Sequence, residues 1–316
     1  MLQLDAADLA ARLDRRALID ALDEAFRTGC SAPPREQHHV EARREGALGG
    51  TLLIMPAWQT GGALGIKIVT VFPDNALQGL PAVCASYLLL DAATGLPRAM
   101  LDGGELTRRR TGAASALASR HLSSPSASRL TMVGTGSLAP HLIESHLLVR
   151  RIREVRIWGR RTERARALAA SLRREDVSIE AAEDLEQAVR WADVVSCATL
   201  AREPLVQGAW LKPGQHLDLV GAFTPEMREV DDAAIARGDL FVDTRAGAFS
   251  ESGELIGALA RGIIDRSAVR AELSQLASGS FRRSHALAIT IFKSVGTALE
   301  DLAAAQLALR QSELLR

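Results

Sequence analysis

RLTMVGTGSLAPHLIESHLLVRRIREVRIWGRRTERA, residues 129–165, decides the architecture. RLTMV is a short apolar run of the kind that forms a buried strand. Gly134 allows the chain to turn sharply after it, and Gly136 lets a neighbouring group approach the backbone closely. Ala139 stands where a third small residue lets a helix pack against the strand. The pattern predicts a helix starting near Ser137 and running through HLIESHLLVRR, a second strand at EVRIW and a second helix at TERARALAASLRR. A strand, a glycine turn, a helix and a further strand form the unit that receives a dinucleotide. The first N–H groups of its helix point at the pyrophosphate.

The end of the second strand helps to choose the cofactor. An NAD site needs an acid there to bond the ribose hydroxyls. EVRIW instead runs into Gly159, Arg160, Arg161 and Thr162. Two arginines and a hydroxyl suit a 2′-phosphate, so NADPH is expected, with NADH possible.

Working outward, the segment continues with a helix near 184–191 and the strands VVSCA, LDLV and LFVD. Strands alternating with helices predict an α/β fold, a Rossmann-type doubly wound parallel sheet. Residues 35–120 read differently. GTLLIMPAW, LGIKIVTVF and ASYLLLD are strands separated by glycine, proline and asparagine, and TRRRTGAASALASRHL is a helix. This is a second, α+β domain. Asp5 is predicted to cap one opening helix that Gly29 stops. The stretch ALAITIFKSVGTALEDLAAAQLALRQ reads as one long final helix, suited to pack back on the first domain or on a partner chain. The expected division is 1–123 with 288–316 for the first domain, and 124–287 for the cofactor domain.

Composition narrows the function. The chain has 316 residues, with 38 basic and 38 acidic, and no formal net charge. That argues against nucleic-acid binding, as does the shortness of the cluster Arg108-Arg109-Arg110. Hydrophobic residues make up 47% and charged residues 24%, as in a globular protein. No apolar run is long enough to span a membrane, and the N-terminal stretch lacks a signal peptide's pattern, so a cytoplasmic location is expected. Cys30, Cys84 and Cys197 show no ligand spacing and are read as small buried hydrophobes. His38 and His39 would face opposite ways on a strand, so no metal site is expected.

Three cations in the first domain stand in unusual settings. Lys67, one of only three lysines, lies inside the apolar strand GALGIKIVTVF, where a charge is costly unless it is used. Arg35 follows APP, which holds it in an extended segment, and Arg110 sits on a helix beside small residues. Three cations and a nicotinamide suggest a small anionic substrate, most simply a carboxylate.

The chain resembles the ornithine cyclodeaminase/mu-crystallin family over nearly its full length. The matching stretches are LGIKIVTVFPDN, LLLDAATGLPRAMLDGGELTRRRTGAASALA, MVGTGSLA, RIWGRRTERA, GAFTPEMREVD, ESGEL and IFKSVGTALED. The resemblance implies a two-domain homodimer. It implies that Arg35, Lys67 and Arg110 contact a substrate carboxylate, that Thr111 lines the site, and that Gly134, Thr135, Gly136 and Ser137 form the phosphate turn.

The chain departs from the cyclodeaminase pattern at Phe223, where those enzymes carry an aspartate that handles the amine of ornithine. GAFTPEMREVD instead resembles the subgroup that reduces cyclic ketimines, chiefly Δ1-pyrroline-2-carboxylate to L-proline, as in trans-3-hydroxy-L-proline degradation. The expectation is therefore an imine oxidoreductase that moves a hydride from NAD(P)H to the imine carbon. Lys67 is either the third carboxylate contact or the proton donor. The alternatives are an ornithine cyclodeaminase, a reductase or dehydrogenase for another imine such as piperideine-2-carboxylate, and a non-catalytic binding protein that uses NADPH to shape its site.

Overall fold

The computed structural model describes residues 1–42 and 48–314. They divide into two compact units, Met1–Arg110 with Thr297–Arg316, and Thr111–Gly296.

The first unit is built on a six-stranded sheet of β1 (Leu2–Leu4), β2 (Glu36–Val40), β3 (Gly50–Trp58), β4 (Ala63–Val71), β5 (Val83–Asp91) and β6 (Pro97–Asp102). The order is β1-β6-β5-β4-β3-β2, antiparallel except for the β1–β6 edge. Lys67 lies on β4, the strand between β3 and β5, opposite Met55 on one side and Tyr87 on the other. His38 and His39 fall on the exposed edge strand β2.

The single opening helix is corrected to two, α1 (Ala6–Arg12) and α2 (Arg15–Thr28). The break falls at Leu13 because Asp14 is itself a cap, accepting a hydrogen bond from the Ala17 amide at 2.9 Å. Gly29 ends α2 with a positive φ of 75°. Helix α3 (Gly103–Leu122) begins four residues before Thr107. Cys84 is exposed and Cys30 only half-buried, so of the three cysteines Cys197 alone is a buried hydrophobe.

The second unit holds eight parallel strands: β7 (Arg129–Val133), β8 (Glu154–Trp158), β9 (Ser178–Ala181), β10 (Val194–Cys197), β11 (His216–Leu219), β12 (Asp239–Val242), β13 (Val269–Glu272) and β14 (Thr290–Lys293). Their order is β13-β12-β14-β11-β10-β7-β8-β9. Alternate residues feed two cores, one on each face. Leu130, Met132 and Val194 belong to one, and Val133, Val195 and Cys197 to the other. The chain winds outward from β7 through β8 to β9, then returns to β10 on the other side. The winding of the chain therefore reverses between β7 and β10, where ligands bind in folds of this kind.

The final helix is shorter than the sequence pattern suggested. Thr290–Lys293 forms β14, inserted between β11 and β12, and the helix proper is Ala298–Leu314. The β-branched, wholly buried run ITIF suits the middle of a parallel sheet better than a helix. The unit boundaries accordingly fall at 110/111 and 296/297 rather than at 123/124 and 287/288. The helix Ala298–Leu314 packs against α2 and β4 within the first unit.

Candidate active site

In the first unit, β4, α3 and the last helix bring a cluster of charges together. Lys67 Nζ lies 2.7 Å from Asp301 Oδ2, and Thr107 Oγ1 is 3.5 Å from the same nitrogen. Arg110 donates from Nε to Asp301 Oδ1 at 3.0 Å and from Nη1 to Glu300 Oε2 at 2.6 Å. Lys67, Arg110, Glu300 and Asp301 are all buried.

Burial lowers the Lys67 ammonium to a pKa of about 8. Asp301 pulls it upward, while Arg110 and Arg35 push it further down. Arg35, half-buried, is thus close enough for its charge to act on Lys67. Burial pushes the Asp301 carboxyl up, but Lys67 and Arg110 outweigh it and hold it below the usual carboxylate range. The structure brings Arg35, Lys67 and Arg110 into one electrostatic neighbourhood.

Helical phase separates the three consecutive arginines. Arg108 and Arg109 both reach back to Glu105, at 2.9 and 2.6 Å, and Arg109 also donates to the Leu13 carbonyl. Arg110 alone turns to Glu300 and Asp301. Thr111 follows it on α3 and is buried.

Sequence reasoning gave no role to Glu300 and Asp301. An acid in the first turn of a helix is ordinarily a dipole partner. The usable signal was that these two adjacent acids are followed by the run LAAA, and both prove wholly buried.

In the second unit, a cleft of about 630 Å³ opens at the carboxyl ends of β7, β8 and β10. Gly134, Thr135 and Gly136 form one wall, Gly159, Arg160 and Arg161 a second, and Ala198 to Glu203 a third. Gly134 has a φ of 123°, a conformation that side chains disfavour. A Cβ at Gly136 would meet nothing within 4 Å, which leaves room for a ligand at the backbone. Arg164 and Arg202 add two further cations to the lining.

Some details differ from expectation. Helix α4 runs from Ala139 to Val149, so it starts two residues after Ser137. Ser137 is exposed and, with Thr162 at the first position of helix α5 (Thr162–Ser171), stands outside the cleft lining. Ala139 is wholly buried, as close helix–strand packing requires. The lining fits a dinucleotide: a glycine turn at a helix start, no acid at the end of β8, and arginines where a ribose phosphate would lie.

Phe223 follows β11 in the turn Gly221-Ala222-Phe223 and is 41% exposed. The profile described as the ornithine cyclodeaminase/mu-crystallin family matches residues 2–312. The chain belongs to the ornithine cyclodeaminase/mu-crystallin family. It is 44% identical over 286 residues to Protein SAR DEFICIENT 4 of Arabidopsis thaliana, covering 88% of this chain and 86% of that protein. It is 38% identical over 301 residues to the Delta(1)-pyrroline-2-carboxylate reductase of Paracoccus denitrificans, covering 95% of this chain and 93% of the relative. Among solved structures it resembles the Thermococcus litoralis Delta(1)-pyrroline-2-carboxylate reductase in complex with NADH and L-proline. The TM-score is 0.92 at 31% identity, over 100% of this chain and 98% of that one. Among the described residues no helix is long and apolar enough to cross a membrane.

Proposed function

We propose that this member of the family reduces Δ1-pyrroline-2-carboxylate to L-proline with NADPH. The observation that carries the reading is the convergence of cations in the first unit. Lys67 and Arg110 both reach the buried Asp301, and the charge of Arg35 acts on Lys67, a setting suited to a carboxylate substrate.

Arg35 and Arg110 hold the substrate carboxylate and fix the face that the imine presents. Lys67 gives its proton to the ring nitrogen, which makes the imine carbon a better acceptor. Its pKa of about 8 keeps it charged at neutral pH yet able to give the proton up. Asp301 keeps the ammonium oriented, and Thr111 lines the same site. The bound nicotinamide supplies the hydride. The turn Gly134 to Gly136 receives the pyrophosphate, and Arg160 and Arg161 receive the ribose phosphate, with Ser137 and Thr162 flanking them. Phe223 forms an apolar wall suited to a ring without a distal amine. The protein acts as a homodimer in the cytoplasm.

The test follows NADPH oxidation by its near-ultraviolet absorbance with Δ1-pyrroline-2-carboxylate, alongside ammonia release from ornithine. Rapid oxidation without ammonia supports the reading. Ammonia from ornithine would overturn it in favour of a cyclodeaminase.

A further inference from the structure

Glu229, Glu254 and Lys293 are buried in the second unit and take no part in the chemistry above. Glu229 Oε1 accepts the Thr199 amide at 2.7 Å and the Thr199 hydroxyl at 3.0 Å. Its Oε2 accepts the amides of Gly221 at 2.8 Å and Ala222 at 3.4 Å. One carboxylate therefore ties the chain leaving β10 to the chain leaving β11. Lys293, the last residue of β14, donates to the Ala222 carbonyl at 2.5 Å and lies 3.4 Å from Glu254 Oε2. Glu254 Oε1 in turn accepts the amide of Glu229 at 2.9 Å. A Cβ on Gly221 would overlap the Thr199 backbone and the Glu229 carboxylate, so the two strand ends touch with no room for a side chain between them.

A buried carboxylate is costly unless its hydrogen bonds replace those it made to water. Here the replacements are the backbone of the two segments themselves. Thr199 lines the dinucleotide cleft, and Ala222 precedes Phe223.

We propose that Glu229 is a positioning residue for this reaction, fixing the Thr199 wall of the cleft and the Phe223 turn as one piece while Lys293 holds the turn's carbonyl. The selectivity part of this inference rests on the reading of Phe223 as a pocket residue. Burial, with Glu254 beside it, pushes the Glu229 carboxyl up, against the pull of Lys293 and the backbone amides. Glu254, Lys293 and the buried Cys197 thiol are the titratable groups that interact with it. Only the ionised carboxylate accepts freely on both oxygens, so the tie loosens as pH falls.

The experiment compares wild type with Glu229→Gln, which turns one acceptor into a donor facing backbone N–H groups. NADPH fluorescence is expected to report about tenfold weaker binding, the size of a lost charge-assisted hydrogen bond. The preference between five- and six-membered cyclic imines is expected to move toward that of Phe223→Ala. NADH, which has no titrating 2′-phosphate, is expected to bind wild type more weakly toward acid pH and the Gln variant with a flat profile. A lower melting temperature with unchanged cofactor affinity and ring preference would overturn the proposal. Should Glu229→Gln not fold, Lys293→Met is expected to shift the acid-side loss of NADH affinity to higher pH, and no shift would overturn the proposal. If wild type reduces no imine, the reductase reading fails, while the cofactor-binding results still decide the role of Glu229.

Discussion

Lys67 and Asp301 form a buried ion pair, 2.7 Å between Nζ and Oδ2, although 3% and 0% of their side chains reach the surface. An ammonium in this setting is held charged by its partner and made ready to lose its proton by its burial. Lys67→Ala should therefore lower kcat by about 10²–10⁴-fold, the range for general acid catalysis, while NADPH fluorescence shows little change in cofactor affinity. Equal losses in turnover and cofactor affinity would argue against a substrate-side role.

The protonation state gives the sign of a pH effect. In the proposed reaction the active form of Lys67 is the ammonium, present below its pKa of about 8 and lost as pH rises through it. The rate at saturating NADPH should fall on the alkaline side with that midpoint. Asp301 raises this pKa, so Asp301→Asn should move the alkaline fall to lower pH. A fall that stays in place would detach Lys67 from the rate.

Removing one partner of a buried ion pair leaves the other uncompensated. Asp301→Asn should cost about 3–5 kcal/mol of stability by denaturant unfolding. The loss should exceed that from Arg108→Ala, because Arg108 pairs with Glu105 on a partly exposed face of its helix.

In the proposed cofactor site, Arg160 and Arg161 carry the preference for NADPH. Replacing both by alanine should raise the Kd for NADPH roughly ten- to a hundredfold, as expected for lost charge-assisted hydrogen bonds, and leave NADH nearly unchanged. An NADPH/NADH ratio that does not move would place the 2′-phosphate elsewhere.

Phe223→Asp sets a carboxylate where the chain has an apolar ring. Imine reduction should fall and the preference between five- and six-membered rings should change, by roughly ten- to a hundredfold for a polar group in an apolar wall. Unaltered reduction with unaltered ring preference would remove Phe223 from the pocket.

The second unit was legible in the sequence to the extent that its chemistry is local. The turn Gly134 to Gly136 and the arginines after β8 lie within one short stretch, and Gly134 takes a backbone conformation that favours glycine. β14 was not legible, because a four-residue run before a helix carries no period that separates strand from helix. Lys67 was visible because a lone lysine in an apolar strand conflicts with its surroundings. Asp301 was hidden by distance. It meets Lys67 only in the folded chain, and beside Glu300 at a helix start it resembles an ordinary dipole partner.

The first unit joins residues 1–110 to 297–316, and everything in between belongs to the second. This has a consequence for the order of events on the ribosome. The strand bearing Lys67 is made before the parallel sheet, and its counter-ion only after the whole of that sheet has been synthesised. Until then the nascent chain carries a lysine in a hydrophobic strand with no acid to receive it. The first unit must wait, incompletely folded and prone to association, while the second can form on its own schedule. A fragment lacking the segment from Thr297 onward would keep the residues that line the cleft behind β7 and lose Asp301, the counter-ion of Lys67.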